Sequence, residues 1–159
     1  MPHRETDTKN INVRELASAA FTVPVNYDDP RWNGIQHASY AYVNPDLRLK
    51  HFPIGSRGVS EVVMEYVTFD HGPTTQEVLD KIERLGLRRP DRAEAESFLD
   101  THPEEQKMSS FIGLGVSVVG RPRGRDVACV FADGGRRCLG FDWLGNHWSQ
   151  YDLFLAVRK

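Results

Sequence analysis

The side chains that could do chemistry are scattered along this chain and do not gather into a motif. Its histidines stand far apart, and no two have the i,i+3 or i,i+4 spacing that places metal ligands on one helix face. The sequence contains no HExxH motif and no mixed His/Cys cluster. We therefore assign no catalytic residues, no metal ligands and no cofactor, and expect a protein that is not an enzyme. The histidines are His3, His37, His51, His71, His102 and His147.

The two cysteines are too few for a disulfide framework and form no CxxC pair. Cys129 lies inside the apolar stretch VACVF, which predicts a small buried side chain rather than a reactive thiolate. Cys138 lies across an expected hairpin turn, so a disulfide between the two is geometrically possible. In the cytoplasmic setting that we expect, both thiols are predicted to be free.

Two glycine-rich stretches and one arginine cluster fit known phosphate motifs poorly. GLGVSVVG lacks the GxGxxG spacing with a following helix, and DGGRR is not a P-loop. Four arginines surround the turn between two predicted helices and could grip a phosphate. A structural role is favoured, because Glu94 and Glu96 offset their charge. The arginines are Arg84, Arg88, Arg89 and Arg92.

The composition indicates one globular domain. The chain has 159 residues, of which 40% are hydrophobic and 26% charged, values at which a single core can fold. We predict one domain over residues 1–159, with residues 1–12 flexible. No apolar run is long enough for a membrane span or a secretory signal. We expect a cytoplasmic protein without membrane contact.

The charge is distributed unevenly. The formal net charge is −2, yet residues 117–159 hold seven Lys and Arg against four Asp and Glu, a net of +3. A basic C-terminal third could contact nucleic acid, but a solvated hairpin surface explains it more simply. Nucleic acid is therefore the less favoured partner.

Local sequence patterns predict the helices and strands that position these side chains. Thr74 with Glu77 and Asp91 with Glu94 are capping boxes, which predict two helices in the middle of the chain. Pro24 puts the strand FTVPVNY at a sheet edge, and SEVVMEYVTF is a second strand. Four more strands are predicted after the helices, in FIGLGVSVVG, DVACVFA, CLGFDWL and LFLAVRK. The fold class is therefore α+β with a mostly antiparallel sheet.

Aromatic side chains concentrate near the C-terminal end of the sequence. In CLGFDWL, the period of two puts Leu139, Phe141 and Trp143 on one face, which predicts that they lie in the core. Replacing Trp143 should then cost far more stability than replacing Trp148, which falls in a loop. Loop aromatics are enriched where partners bind. The candidate ligand- or partner-binding residues are Asn146, His147, Trp148 and Tyr151.

Two resemblances can be stated on these residues. FTVPVNYDDP, YVNPDL, HFPIGSRGVSEV, GLRRPDRAEAESFL, HPEEQ and WSQYDLFLAVRK resemble a family of small uncharacterised bacterial proteins known mostly from environmental genomes; the family implies no activity. GLRRPDRAEAESF is also similar to a segment of C-type-lectin-like folds, and FIGLGVS with the final strand is similar to their closing hairpins. The chain lacks their WND, EPN and QPD signatures, so neither calcium nor sugar binding is implied.

Three classes of function follow from the sequence. The leading hypothesis is a non-enzymatic binding or protein-interaction module that uses polar-aromatic loops near the C-terminus, with a protein or a small ligand as partner. One alternative is a small enzyme with a His/Asp/Glu site, which requires two histidines beside an acid in one cleft. The other is a nucleic-acid binder that uses the basic C-terminal third. The histidines available for the enzyme are His51, His71, His102 and His147.

Overall fold

The computed structural model describes residues 20–35, 39–107, 111–113, 118–121 and 124–159. The segment 1–12, predicted to be flexible, lies outside this part. The two α-helices within these ranges are α1 (Thr75–Arg84) and α2 (Arg92–Thr101). The strands are β1 (Ala20–Asn26), β2 (Tyr42–Val43), β3 (Val59–Val67), β4 (Leu87–Arg88), β5 (Phe111–Gly113), β6 (Val118–Arg121), β7 (Gly124–Asp133), β8 (Arg136–Trp143) and β9 (Leu153–Arg158).

Within the described residues the strands form one sheet in the order β1-β3-β9-β5-β7-β8-β2. Strand β4 also pairs with β9, and β6 also pairs with β7. Two pairings are parallel, β2 with β8 and β5 with β9, and the others are antiparallel. The predicted α+β class, with two mid-chain helices and a mostly antiparallel sheet, is therefore confirmed.

Both predicted capping boxes are present. The Thr74 hydroxyl accepts a hydrogen bond from the Glu77 amide at 3.1 Å, and the Glu77 carboxylate accepts one from the Thr74 amide at 3.1 Å. Asp91 and Glu94 make the same reciprocal pair at 2.8 and 2.9 Å. Each box satisfies two amides that the first helical turn leaves unpaired. Local chemistry therefore starts both helices where the sequence predicts.

The sheet separates two hydrophobic clusters, which we call the larger core and the smaller core. The larger core lies between the sheet and α2, with Phe98 and Leu99 from the helix. The smaller core lies between the opposite face and α1, with Val78 and Ile82 from the helix. Leu85 follows Ile82 by three positions, a spacing that would continue this apolar face, but it is 52% exposed. The face of α1 that packs on the sheet therefore does not extend to Leu85.

Strand alternation follows the predicted period of two where both faces of the sheet are covered. In β9, Leu153, Leu155 and Val157 enter the larger core. Phe154 and Ala156 enter the smaller core. The edge position that Pro24 predicts for β1 is confirmed, because β1 ends the strand order. A proline at an edge removes no hydrogen bond that a second neighbour would need.

The hairpin between β7 and β8 has a two-residue turn. Asp133 pairs with Arg136, and the intervening Gly134 and Gly135 have φ angles of 58° and 84°. Positive φ at both central residues is the requirement of a type I′ turn, which matches the twist of the flanking strands. The glycines therefore set the register of the longest strand pair, which extends to Asp126 opposite Trp143.

The stretch 111–120, predicted as one strand, is divided into β5 and β6. Both pair with β7, but five steps lead from Gly113 to Val118 against three from Val130 to Val127. The registers of the two pairs therefore differ by two residues, and residues 114–117 lie outside the described part. The short strands β2 and β4 were not predicted, since two residues carry no periodicity that sequence patterns can detect.

Buried charges join α2 to its surroundings. Glu94 is 1% exposed and accepts hydrogen bonds from both terminal nitrogens of Arg88, at 2.8 and 2.6 Å, and from the Tyr27 hydroxyl at 2.7 Å. Burial opposes ionisation, but these donors hold the pKa of the Glu94 carboxyl below its usual value. Arg92, also 1% exposed, bonds to Glu96 at 2.8 Å. These contacts confirm the structural role of Arg88 and Arg92.

Replacing Glu94 with Ala should destabilise the fold by about 2–4 kcal/mol, because it removes a buried acceptor and leaves Arg88 and Tyr27 without their partner. Denaturant unfolding of the variant measures the loss. The matched control is Glu104→Ala, which removes an exposed carboxylate and should change stability by less than about 0.5 kcal/mol. Equal losses in the two variants would contradict the role of the buried network.

Candidate functional site

The segment from the end of β8 to the start of β9, which we call the aromatic loop (143–152), lies against the start of α1. The carbonyl of Asn146 accepts a hydrogen bond from the Thr75 amide at 3.0 Å, and the carbonyl of Leu144 accepts one from the Gln76 amide at 3.0 Å. With the capping box, these bonds satisfy the first three helical amides. The aromatic loop is therefore held in place by the helix that it caps.

Trp148 makes a second connection to the helix. Its indole nitrogen donates to the Thr75 hydroxyl at 2.9 Å, and its ring lies edge-on to Phe154, with centroids 6.2 Å apart. Its amide donates to the Pro73 carbonyl at 2.8 Å. A Cβ atom on Gly72 would come within 2.5 Å of the Trp148 carbonyl oxygen, so only glycine permits this approach.

The four residues predicted as the site divide into two pairs. Asn146 and Trp148 are half-buried and contact the start of α1, as described above. His147 and Tyr151 are exposed, Tyr151 with 56% of its surface open to solvent. The His147 backbone forms an isolated bridge with Thr74. The structure thus presents the side chains of His147 and Tyr151 outward, whereas the Asn146 backbone carbonyl and the Trp148 side chain fix the loop.

The prediction that Trp143 lies in the core is wrong. Along β8, Leu139 is fully buried and Phe141 packs against the larger core, but Trp143 is 47% exposed. Its ring covers Gly145, where a Cβ atom would come within 3.0 Å of ring carbons. The alternation of side chains along β8 holds as far as Phe141. Beyond it the strand extends past the residues that cover this face, so Trp143 faces solvent. The turn-forming Leu-Gly-Asn that follows was the available signal.

An open cleft of about 640 Å³, which we call the His71 cleft, lies between the end of β3 and one flank of α1. Lys81 donates to the Thr68 carbonyl, and its ammonium nitrogen lies 4.6 Å from the centroid of the Phe69 ring. The side chains that line the cleft carry charges of both signs, and Phe69 adds an aromatic ring. Its lining residues are Thr68, Phe69, Asp70, His71, Glu77, Asp80, Lys81 and Arg84.

His71 lies between two carboxylates. Its Nδ1 is 2.8 Å from Asp70, and its Nε2 is 3.1 Å from Glu77, the capping residue of α1. These hydrogen bonds, that of Asp70 first, raise the pKa of His71 and favour the imidazolium, and they lower the pKa of both carboxyls. An imidazolium donates from both nitrogens and accepts no proton. In this state His71 therefore cannot serve as a general base.

The other described histidines of the enzyme hypothesis lie in different surroundings. His51 accepts a hydrogen bond from the Arg48 amide at 2.9 Å and packs edge-on against Phe141. His102 stacks on Phe98 with centroids 5.1 Å apart. Among the described residues, no group of three His, Cys, Asp or Glu side chains is arranged to hold a metal ion.

Cys129 is fully buried, as predicted, and its thiol donates to the Asp142 carboxylate. Burial and then the Asp142 charge raise the pKa of this thiol well above its usual value. Cys138 is also buried and free. The strand register sets Cys129 opposite Gly140 and Cys138 opposite Phe131, so the thiols occupy diagonal positions. A diagonal pair is too widely spaced for a disulfide without a backbone shift.

Part of the basic C-terminal third is paired with acids. Arg137 bonds to Asp100 at 2.6 Å, and Arg158 bonds to Glu65 at 2.7 Å. These acids lie outside residues 117–159, so in the folded protein they offset part of the positive charge of +3 that this segment carries. This pairing leaves fewer free cations for nucleic-acid phosphates.

In comparisons with family models, with curated proteins and with solved structures, the chain matches none of them. The two resemblances noted in the sequence therefore stay predictions. Neither helix of the described part is long and apolar enough to cross a membrane.

Replacing each of the two tryptophans of the aromatic loop should change the stability of the protein by different amounts. Trp148→Ala should cost about 2–4 kcal/mol, because it loses packing on Phe154 and the hydrogen bond to Thr75. Trp143→Ala should cost less than about 1 kcal/mol, since its ring is half in solvent. Denaturant melts of both variants show which replacement costs more stability. The expected order is the reverse of the one predicted from the sequence. A larger loss for Trp143 would contradict the burial described here.

The pKa of His71 should lie above the usual histidine value, because two carboxylates hydrogen-bond to its ring. Asp70→Asn should lower its pKa more than Glu77→Gln, because the Asp70 hydrogen bond is the larger cause of the rise. A raised folded pKa adds stability that is complete below the unfolded value and is lost as pH rises through the folded value. Wild type should therefore lose more stability than Asp70→Asn as the pH rises through the titration of His71. NMR titration of the imidazole provides the test; an unshifted wild-type pKa would contradict the geometry.

Proposed function

We propose that the protein is a non-enzymatic binding module that contacts its partner through the aromatic loop. The observation that carries this proposal is the combination of exposed aromatics with a fixed backbone. Trp143 and Tyr151 are 47% and 56% exposed, while the segment between them is hydrogen-bonded to α1. Exposed Trp and Tyr are the residues that most often dominate binding energy.

A fixed loop favours binding because less conformational entropy is lost when the partner arrives. The side chain of Trp148 and the carbonyls of Leu144 and Asn146 are already engaged with α1. The exposed rings therefore project from a backbone that is ordered before the partner binds. A core aromatic would have an ordered backbone but no exposed ring. An aromatic in an unattached loop would have an exposed ring but no ordered backbone.

The His71 cleft supports a peptide segment as the partner. Phe69 connects the two regions, because its ring lies edge-on to both His71 and Phe154, and Phe154 in turn contacts Trp148. A peptide could place an apolar side chain on the exposed rings and charged side chains in the cleft. Interfaces commonly combine an aromatic centre with a charged rim of this kind.

The alternatives have less support. The enzyme hypothesis needs two histidines beside an acid, whereas His71 is bonded at both nitrogens and His102 stacks on Phe98. The nucleic-acid hypothesis is weakened by the pairing of Arg137 and Arg158 with acids. A cytoplasmic setting is supported by the two free cysteines. The likeness to C-type-lectin-like folds is supported by two helices that precede the terminal strands.

The test uses the three indole N–H signals of the ¹⁵N-labelled protein as reporters. Pools of short synthetic peptides, and separately a set of mono- and disaccharides, are added to the full chain. We expect peptide pools to shift the Trp143 signal and to leave that of Trp32 in place, because Trp32 is 5% exposed and bonded to the Asn26 carbonyl. Saccharides should shift neither signal.

Matched variants identify the surface. Trp143→Ser combined with Tyr151→Ser should abolish peptide binding, followed by the backbone signals of residues 144–152 or by calorimetry. The control is Tyr42→Ser, which removes an aromatic of 51% exposure from β2 and should leave binding unchanged. The proposal fails if no peptide pool moves the Trp143 signal, or if the double variant binds as well as wild type.

A further inference from the structure

A second cleft lies on the other flank of α1, away from His71. It has a volume of about 390 Å³ and is bordered by α1, by β4 with the residue after it, and by Lys159. Its size lies within the range in which proteins bind small molecules. Its lining residues are Gln76, Leu79, Asp80, Ile82, Glu83, Leu87, Arg88, Arg89 and Lys159. We call it the Arg89 cleft.

Arg89 distinguishes this cleft from an ordinary surface groove. Its Nη1 atom is buried, and no acceptor within the described residues lies at hydrogen-bond distance from it. The neighbouring Arg88 is bonded to Glu94, and Arg92 is bonded to Glu96. A buried guanidinium nitrogen without an acceptor costs free energy, which a ligand carboxylate would recover through a charge-assisted hydrogen bond.

The charges of the cleft lie on different elements. Arg89 and Lys159 supply positive charge from the sheet side, whereas Asp80 and Glu83 supply negative charge from α1. Asp80 also accepts a hydrogen bond from the Gln76 side chain at 2.9 Å, which directs that amide along the helix. Positively and negatively charged side chains therefore border the same cleft.

Apolar side chains border the same cleft. Leu79 is partly buried, and Ile82 and Leu87 are almost completely buried where α1 meets β4. A bare anion such as phosphate would meet the two carboxylates of α1 and gain nothing from this apolar surface. A ligand that has an oxyanion, a cation and an apolar group close together would satisfy all three features.

We propose that the Arg89 cleft binds a free α-amino acid with an apolar side chain. Its carboxylate bonds to Arg89, with Lys159 adding charge, and its ammonium group faces Asp80 and Glu83. Its side chain packs on Leu79. The proposal does not rest on the function proposed above, because none of these ligand contacts involves the aromatic loop; the Arg89 cleft shares Asp80 with the His71 cleft.

The experiment measures binding of L-leucine to the full chain by calorimetry and by backbone NMR shifts around Leu79 and Arg89. Three analogues serve as probes: isocaproate lacks the ammonium group, isoamylamine lacks the carboxylate, and inorganic phosphate lacks both the ammonium and the apolar group. We expect saturable binding of leucine, with each analogue about tenfold or more weaker because each loses at least one charge-assisted contact.

Two variants and one control locate the site. Arg89→Met should abolish leucine binding and leave the melting temperature equal or higher, because it removes a buried nitrogen that has no acceptor. Glu83→Gln should weaken leucine binding but leave that of isocaproate unchanged. The control Arg84→Met removes an exposed arginine of the same helix, which borders the His71 cleft, and should leave binding unchanged.

Several results would overturn the proposal. The site does not exist if leucine shows no saturable binding at millimolar concentration, or if Arg89→Met binds leucine as well as wild type. Equal affinity for isocaproate or phosphate would show a simple anion site and would refute the amino-acid assignment. A loss of binding in Arg84→Met equal to that in Arg89→Met would place the ligand elsewhere.

Discussion

Strand β9 is buried on both faces, and the rest of the described structure is arranged around it. It pairs with β3 on one side and with β5 and β4 on the other. Its alternate side chains enter both cores, so Leu155 packs below α2 while Phe154 packs below α1. A central strand of this kind is an almost continuous apolar run, which matches the sequence LFLAV. Both helices therefore depend on the same five residues.

The position of β9 also explains where the two candidate sites lie. The aromatic loop enters β9 at Leu153, so the loop must cross the start of α1 to reach the centre of the sheet. At the other end of the strand, Arg158 pairs with Leu87, and Lys159, the next residue, borders the same cleft as Arg89. One site precedes the strand and the other follows it, with α1 between them.

Helix α1 separates the two clefts by its periodicity. Val78 and Ile82 face the sheet and fix the helix on the smaller core. Residues 77, 81 and 84 then line the His71 cleft, and residues 76, 79 and 83 line the Arg89 cleft. This division follows from 3.6 residues per turn once the buried face is set. Asp80 lies between the flanks and borders both clefts.

The features that the sequence predicted depend on short-range chemistry. The capping boxes at Thr74 and Asp91 need only residues three apart, and the turn at Gly134 and Gly135 needs only two. The strand faces of β3 and β9 follow from alternation. Such signals are independent of the rest of the fold, and for that reason the α+β class could be predicted.

The features that the sequence missed depend on contacts between distant residues. Alternation places Trp143 on the face of β8 that is directed to the larger core. It does not show where along the strand that core ends, and Trp143 is half exposed. Trp148 is half-buried because α1 offers the Thr75 hydroxyl, 73 positions earlier in the chain. His71 meets Glu77 only because the capping box turns that carboxylate back. The pairing state of Arg89 likewise depends on which acids its neighbours Arg88 and Arg92 have already engaged.

The inversion of the two tryptophans changes how the aromatic loop should be understood. A loop whose tryptophans were all exposed would be costly to hold in one conformation, since each residue ordered on binding loses about 1–2 kcal/mol of backbone entropy. Here the helix-capping carbonyls and the indole of Trp148 order the loop during folding, so that loss is already offset by packing on α1. Trp143 and Tyr151 are then left exposed on a fixed backbone. The same contacts that stabilise the start of α1 therefore preorganise the surface proposed to bind.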